Sequence, residues 1–175
     1  NVGSFIIDIG NFDSLYPDGR FFAAGEVLSL ALELRRIFPD VVLSVTVPHS
    51  LPLDSQAQLA LALVDSGVDV IQTEGGTSSN PISPGTLGLI EKASPTLAGT
   101  YAIASALKER NHYVPVICAS GLSEVTVPMA LSVGATGVGI GSAVNKLDTE
   151  LAMIATVKGL RQALDSCKLA LTINQ

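Results

Sequence analysis

Five short, nearly continuous apolar runs, each followed by residues at helical spacing, limit what this chain can fold into. Residues 5–9 precede a stretch at 23–38 where Val27, Leu30, Leu34 and Phe38 recur at helical intervals. Residues 41–47 are rich in β-branched side chains and stop at Pro48, which cannot donate within a central strand. Asp54 is placed to cap a helix through Leu59, Leu63 and Val64 that Gly67 closes. Residues 68–73 read as the next strand. After a Ser/Pro/Gly-rich connection, Ser94-Pro95 has the N-cap and N1-proline form of a helix start, with Leu97, Tyr101, Ala104 and Leu107 following. Residues 114–119 read as a strand, Ser123 opens a short helix, residues 137–141 form the last strand and 148–164 a closing helix.

Apolar strands that alternate with helices imply a parallel sheet covered by helices. The 175 residues suffice for one core, so residues 1–175 are expected to form a single domain. Two architectures compete: an open doubly wound sheet and a barrel of alternating strands and helices. A complete barrel needs about 250 residues and about eight units, so length alone favours the open sheet. The strand ends favour the barrel. They read Asp8-Ile9-Gly10-Asn11, Thr46-Val47-Pro48-His49, Gln72-Thr73-Glu74-Gly75-Gly76, Ala119-Ser120-Gly121 and Gly139-Ile140-Gly141-Ser142-Ala143. The last two resemble the phosphate-gripping end of phosphate-binding barrels. Glycines there let the backbone approach an anion, which marks Ser120, Gly121, Gly141 and Ser142 as phosphate-binding candidates. Tight βα turns are the alternative explanation of the same glycines.

Charge narrows the partners. With 16 Asp+Glu against 10 Lys+Arg the chain carries a net charge of −6, so nucleic acid and anionic membranes are not expected as partners. The densest basic spot is the pair Arg35-Arg36. No apolar run is long enough to span a bilayer without interruption, and a soluble protein is expected. Cys118 and Cys167 are too few for a disulfide framework and read as two reduced thiols. The N-terminus carries neither a signal peptide nor an initiating Met, so a truncated or processed chain is expected.

Further motifs tie the chain to a family. The segments Asp8-Ile9-Gly10-Asn11-Phe12-Asp13, Val45-Thr46-Val47-Pro48-His49, Ile71-Gln72-Thr73-Glu74-Gly75, Thr100-Tyr101-Ala102-Ile103-Ala104 and Gly139-Ile140-Gly141-Ser142-Ala143 resemble the hypothetical chloroplast reading frame twenty-three family of cyanobacteria, algal plastids and plants. The resemblance runs from Phe5 to Leu164. It implies an aldolase-type, TIM-type (βα)8 barrel of which this chain supplies the C-terminal five βα units, strands four to eight, with the first three absent. It also implies a chloroplast or a cyanobacterial cytoplasm, and it carries no reaction. An open five-strand piece would expose two sheet edges and an inner face, through which self-association is expected.

Asp8, His49 and Glu74 are the catalytic candidates. Each stands at or just past the carboxyl end of a successive strand, where two acids and an imidazole suit acid–base chemistry or a divalent metal. Each also has a structural explanation: a barrel-layer hydrogen bond for Asp8, a loop position for His49, a turn cap for Glu74. Asn11 and Asp13 have the composition of a turn. His112 is expected at the surface, at the opposite end of the strands. No Cys/His cluster has zinc spacing, no metal is assigned, and the cofactor is unknown. None of the five lysines falls in an expected strand, which disfavours a Schiff-base mechanism here. The dinucleotide fingerprint fails because Val144 stands where its third small residue belongs. Three readings stay open: an isomerase- or lyase-type enzyme acting on a small phosphorylated molecule, a non-catalytic binding or regulatory module with the same phosphate grip, and a non-functional barrel fragment. The connection from Gly75 to Ser94 is long enough for a lid.

Overall fold

In the computed structural model, which describes residues 3 and 5–173 and side chains through residue 167, the strands lie in the order in which they occur. Strands β1 (Ile6–Ile9), β2 (Val42–Thr46), β3 (Val70–Gln72), β4 (Val116–Ala119) and β5 (Gly137–Gly139) form one five-stranded parallel sheet, β1-β2-β3-β4-β5. The register pairs Asp8 with Ser44, Thr46 with Gln72, Ile71 with Val116 and Ala119 with Gly139. A doubly wound sheet requires the order to reverse at a switch point. Here it never reverses.

Right-handed crossovers that always step the same way deliver every helix to the same face. Helices α1 (Ala24–Ile37), α2 (Leu53–Asp65), α3 (Gly85–Glu109) and α4 (Val127–Ser132) cover that face, and α6 (Glu150–Ile173) packs on α4 and on the single turn α5 (Ser142–Asn145) that precedes it. The core lies between strands and helices: Ile9, Val45 and Ile71 pack with Val27 of α1, Leu59 and Leu63 of α2, and Ile103 and Leu107 of α3. Among the described residues, no helix lies on the opposite sheet face. Ile6 is 58% exposed and Val42 39% exposed there, beside Asp8, Ser44 and Gln72.

The helix before β4 begins earlier than its proline suggests. Ser94-Pro95 was expected to open a helix, but α3 starts at Gly85 and runs through Pro95. A proline inside a helix leaves the carbonyl four residues back without its donor. That carbonyl belongs to Glu91, and the Ser79 hydroxyl donates to it at 3.3 Å. The Glu91 side chain then holds the connection down, accepting from Ile82 N at 2.8 Å and from the Ser83 hydroxyl at 2.5 Å. What reads in sequence as a long lid is thus a shorter, tethered connection followed by helix. Similarly, α2 starts at Leu53 with Pro52 as its N-cap, and Asp54 lies in the first turn.

Buried polar groups between α3 and the sheet are satisfied by one another. Thr73 Oγ1 lies 2.6 Å from Thr96 Oγ1 and 3.1 Å from Thr100 Oγ1, and Thr96 donates to Ala119 O at 2.6 Å. At the far end of the sheet, Arg35 gathers the carbonyls of Pro39, Val41 and Gly67 and pairs with Asp69 at 2.6 Å. His112 is partly buried there and meets Asp65 at 3.2 Å. Both thiols are free: Cys118 is buried and Cys167 partly so.

Candidate functional site

The carboxyl ends of the strands frame a cleft of about 550 Å³. Asp8, Thr46 and Gln72 reach it from the uncovered sheet face. The loop after β4 contributes Ser120 and Gly121, the loop after β5 contributes Gly141 and Ser142, and Lys92 and Lys146 stand beside them. All four phosphate-binding candidates therefore line one cleft, together with two lysines. Glu74 and Asp8 line it too, whereas His49 does not.

The loops meet at close range because they lack side chains where they touch. A Cβ on Gly76 would stand 2.3 Å from Gly121 Cα, so the loops after β3 and β4 are in backbone contact. Gly121 has φ 77° and Ser120 φ 73°. The left-handed conformation costs a non-glycine residue about 1–2 kcal/mol, and the Ser120 hydroxyl is anchored by donating to Asp13 Oδ2 at 3.2 Å.

Asp13 and Tyr16 are the residues that strand-end reasoning passes over. Asn11 takes a left-handed turn (φ 62°), and two short 3-10 turns, Phe12–Ser14 and Tyr16–Asp18, follow β1. They bury Phe12, Asp13 and Tyr16, with Phe21 stacked on Tyr16 at 4.9 Å. Asp13 Oδ2 also accepts from Gly75 N and Thr77 N, each at 3.3 Å, so one carboxylate ties together the loops after β1, β3 and β4. The signal in the sequence was Phe12-Asp13 directly after a strand, where an apolar residue in a turn announces a loop that folds back over the core.

Glu74, 3% exposed, lies just past β3. Its Oε1 accepts the Tyr16 hydroxyl at 2.6 Å and His49 N at 3.3 Å, and its Oε2 accepts Asp13 N at 2.9 Å. Burial first, and then the bond to Glu74, push the Tyr16 phenol above its ordinary range. The His49 imidazole tilts against the Tyr16 ring at 5.2 Å, with Nδ1 3.5 Å from Glu74 Oε1 and Nε2 2.7 Å from the Ser78 hydroxyl. Asp8 belongs to another network: Gln72 Nε2 donates to its Oδ1 at 2.6 Å and to Ser44 Oγ at 2.7 Å. The three catalytic candidates thus divide, Glu74 with His49 in one network and Asp8 in the other. Among the described residues no group of three or more His, Cys, Asp or Glu could hold a metal ion, and no helix is long and apolar enough to cross a membrane.

Comparison with known proteins adds a family. A family model described as "Protein of unknown function (DUF561)" matches residues 1–169. The "Uncharacterized protein ycf23" of Cyanophora paradoxa is 45% identical over 153 residues, 87% of this chain and 60% of its own length. Its namesake in Porphyra purpurea is 36% identical over 165 residues, 94% of this chain and again 60% of its own length. The chain thus spans 60% of the length of both relatives. Among solved structures, the YdjI aldolase from Escherichia coli K12 is similar with a TM-score of 0.49 and 16% identity, covering 97% of this chain and 60% of that one. A structure described as "Native KDPGal structure" matches with a TM-score of 0.35 and 11% identity, covering 94% of each chain.

Proposed function

The chain belongs to the DUF561 family, and on that premise we propose that it binds a small phosphorylated molecule in the cleft at its carboxyl strand ends. The observation that supports this is the composition of the cleft. Ser120, Gly121, Gly141 and Ser142 line it together with Lys92 and Lys146, in a chain whose net charge is −6. Small residues let a phosphate reach backbone amides, and two lysines supply the charge that an acidic protein otherwise withholds. Lys92 enters the cleft from a helix, as a charge partner.

In this reading the sheet is strands four to eight of a TIM-type barrel. Support comes from the unreversed strand order, the helices on one face and the polar side chains Asp8, Ser44 and Gln72 on the other. The uncovered face and the two edge strands are then surfaces for the rest of a barrel or for self-association. Residence in a plastid or a cyanobacterial cytoplasm, implied by the sequence resemblance, belongs to the same proposal. Isomerase- or lyase-type chemistry falls to Asp8, which faces the cleft. Both Glu74 oxygens are engaged by other donors, so Glu74 supports the loops.

Thermal unfolding with inorganic phosphate and a panel of sugar phosphates, with and without Mg²⁺, tests the site. A ligand at about 100 times its Kd adds about 2.7 kcal/mol of stability. The expected result is a raised midpoint for the wild type and none for Ser142→Asp, which puts a negative charge where the anion would sit. A cooperative transition that no phosphate compound moves would overturn the reading.

A further inference from the structure

Beyond the cleft, the His49 imidazole sits between a hydroxyl and a carboxylate. Its Nε2 is 2.7 Å from Ser78 Oγ, and its Nδ1 is 3.5 Å from Glu74 Oε1. Among the described residues, Nδ1 is the buried side-chain polar atom that lacks a hydrogen bond. We propose that Ser78, His49 and Glu74 form an acyl-transfer site in which Ser78 is a nucleophile toward activated esters, His49 its general base, and Glu74 the positioning residue for His49.

The tautomer follows from the surroundings. A buried carboxylate beside Nδ1 favours the proton on that nitrogen and leaves Nε2 as the acceptor for the Ser78 hydroxyl. Glu74 cannot swing away, because Tyr16 and the backbone N–H groups of Asp13 and His49 all donate to it. The imidazole is equally confined. It lies between the Tyr16 ring and the bare backbone of Gly75, where a Cβ would stand 3.1 Å from His49 Cγ. Ser78 is half-buried on the connection that Ser79 and Glu91 tether to α3, which holds its backbone beside His49. Such an arrangement is recognised by geometry and roles, whatever the order of its members in the chain. Nδ1 stands 3.5 Å from the carboxylate without a hydrogen bond, and catalytic contacts of this kind often close only when a substrate binds.

The step balances with water as its co-reactant. Ser78 Oγ bonds to the ester carbonyl carbon while its proton passes to His49 Nε2. The carbon–oxygen bond to the alcohol breaks and the alcohol leaves with that proton. Water, deprotonated by Nε2, then releases the acid and restores Ser78. The site needs neither the phosphate grip nor Asp8.

An alkyl fluorophosphonate tests it on the intact chain: Ser78 Oγ bonds to phosphorus, fluoride leaves, and the proton goes to Nε2. The expected result is a single adduct mapped to Ser78 by peptide mass, absent in Ser78→Ala. His49→Gln should slow labelling about a hundredfold or more, the usual worth of a general base. Glu74→Gln should slow it too and Glu74→Asp restore part of the rate, each expressed per folded molecule from a parallel melting curve. An absent adduct on the folded wild type, an adduct on another residue, or an unchanged rate in His49→Gln would overturn the proposal. Should Ser78→Ala or Glu74→Gln fail to fold, the wild-type adduct map and the His49→Gln rate decide it.

Discussion

The Asp13 carboxylate accepts the Ser120 hydroxyl at 3.2 Å across 107 positions of sequence. The same oxygen takes two backbone amides of the loop after β3. The shape of the cleft therefore depends on a buried acid that contacts strand-end loops and has no place in any strand.

Replacing that acid tests the dependence. Asp13→Asn keeps the size but can put an amide nitrogen where three donors converge. Leaving buried donors unpaired costs about 1–3 kcal/mol. Urea unfolding should give an unfolding free energy lower by that amount, with a correspondingly lower midpoint, and the loop carrying Ser120 should lose its protection from hydrogen exchange. An unchanged midpoint would mean that the loops hold each other without Asp13.

Gly76, in the loop after β3, and Gly141, which lines the cleft, should respond differently to the same added methyl. Gly76→Ala places a Cβ against the backbone of Gly121, which cannot move aside as a side chain can. A loss of about 1–3 kcal/mol is expected, as for other overpacked sites. Gly141 has nothing within 4 Å of its Cβ position and φ −113°, so Gly141→Ala should leave the melting curve unchanged. If the anion approaches the backbone at Gly141, the same variant should weaken phosphate binding. Calorimetry on the pair separates folding from binding.

The Tyr16 phenol gives a pH dependence whose sign is fixed. Its folded-state pKa is raised by burial and by the Glu74 bond, so the unfolded chain loses that proton first as pH rises. Stability from this group is complete below the ordinary tyrosine value of about 10 and declines above it. Denaturation midpoints between neutral and strongly alkaline pH should fall less steeply in Tyr16→Phe than in the wild type. At neutral pH Tyr16→Phe should itself cost about 1.5–3 kcal/mol, the worth of a hydrogen bond to a charged group.

Pro95 in the middle of α3 is a candidate for stabilisation. Pro95→Ala restores an N–H that can reach the Glu91 carbonyl, keeps the Cβ that packs near Gly75, and removes a helix-interior proline worth up to about 3 kcal/mol. A higher melting temperature is expected. A lower one would show that the Ser79 bond and the packing of the Pro95 ring are worth more than a restored backbone hydrogen bond.

The parallel sheet and its helices were legible because continuous apolar runs and helical periodicity are properties of local sequence. The start of α3 was not, since Ser94-Pro95 imitates a helix start and Ser79, which makes the internal proline tolerable, lies far back in the chain. For the site, the strand ends located Asp8, Glu74 and the Ser/Gly loops, while Tyr16 and Asp13 sit in turns whose geometry only the tertiary fold determines. The lysines show the same limit. None lies in a strand, yet Lys92 and Lys146 stand at the cleft because α3 and the turn after α5 bring them there.

The unreversed strand order also bears on how the chain is made. Every strand pairs with the one a single unit away, and α1 packs on α2, α2 on α3, α3 on α4 and α4 on α6. Each βα unit can dock as soon as the next one leaves the ribosome, while the turns carrying Asp13 and Tyr16 wait for the loops after β3 and β4 before their bonds close. A nascent chain of this kind can add structure from its first strand onward, and a stalled one ends in an open parallel edge that the following unit would have capped.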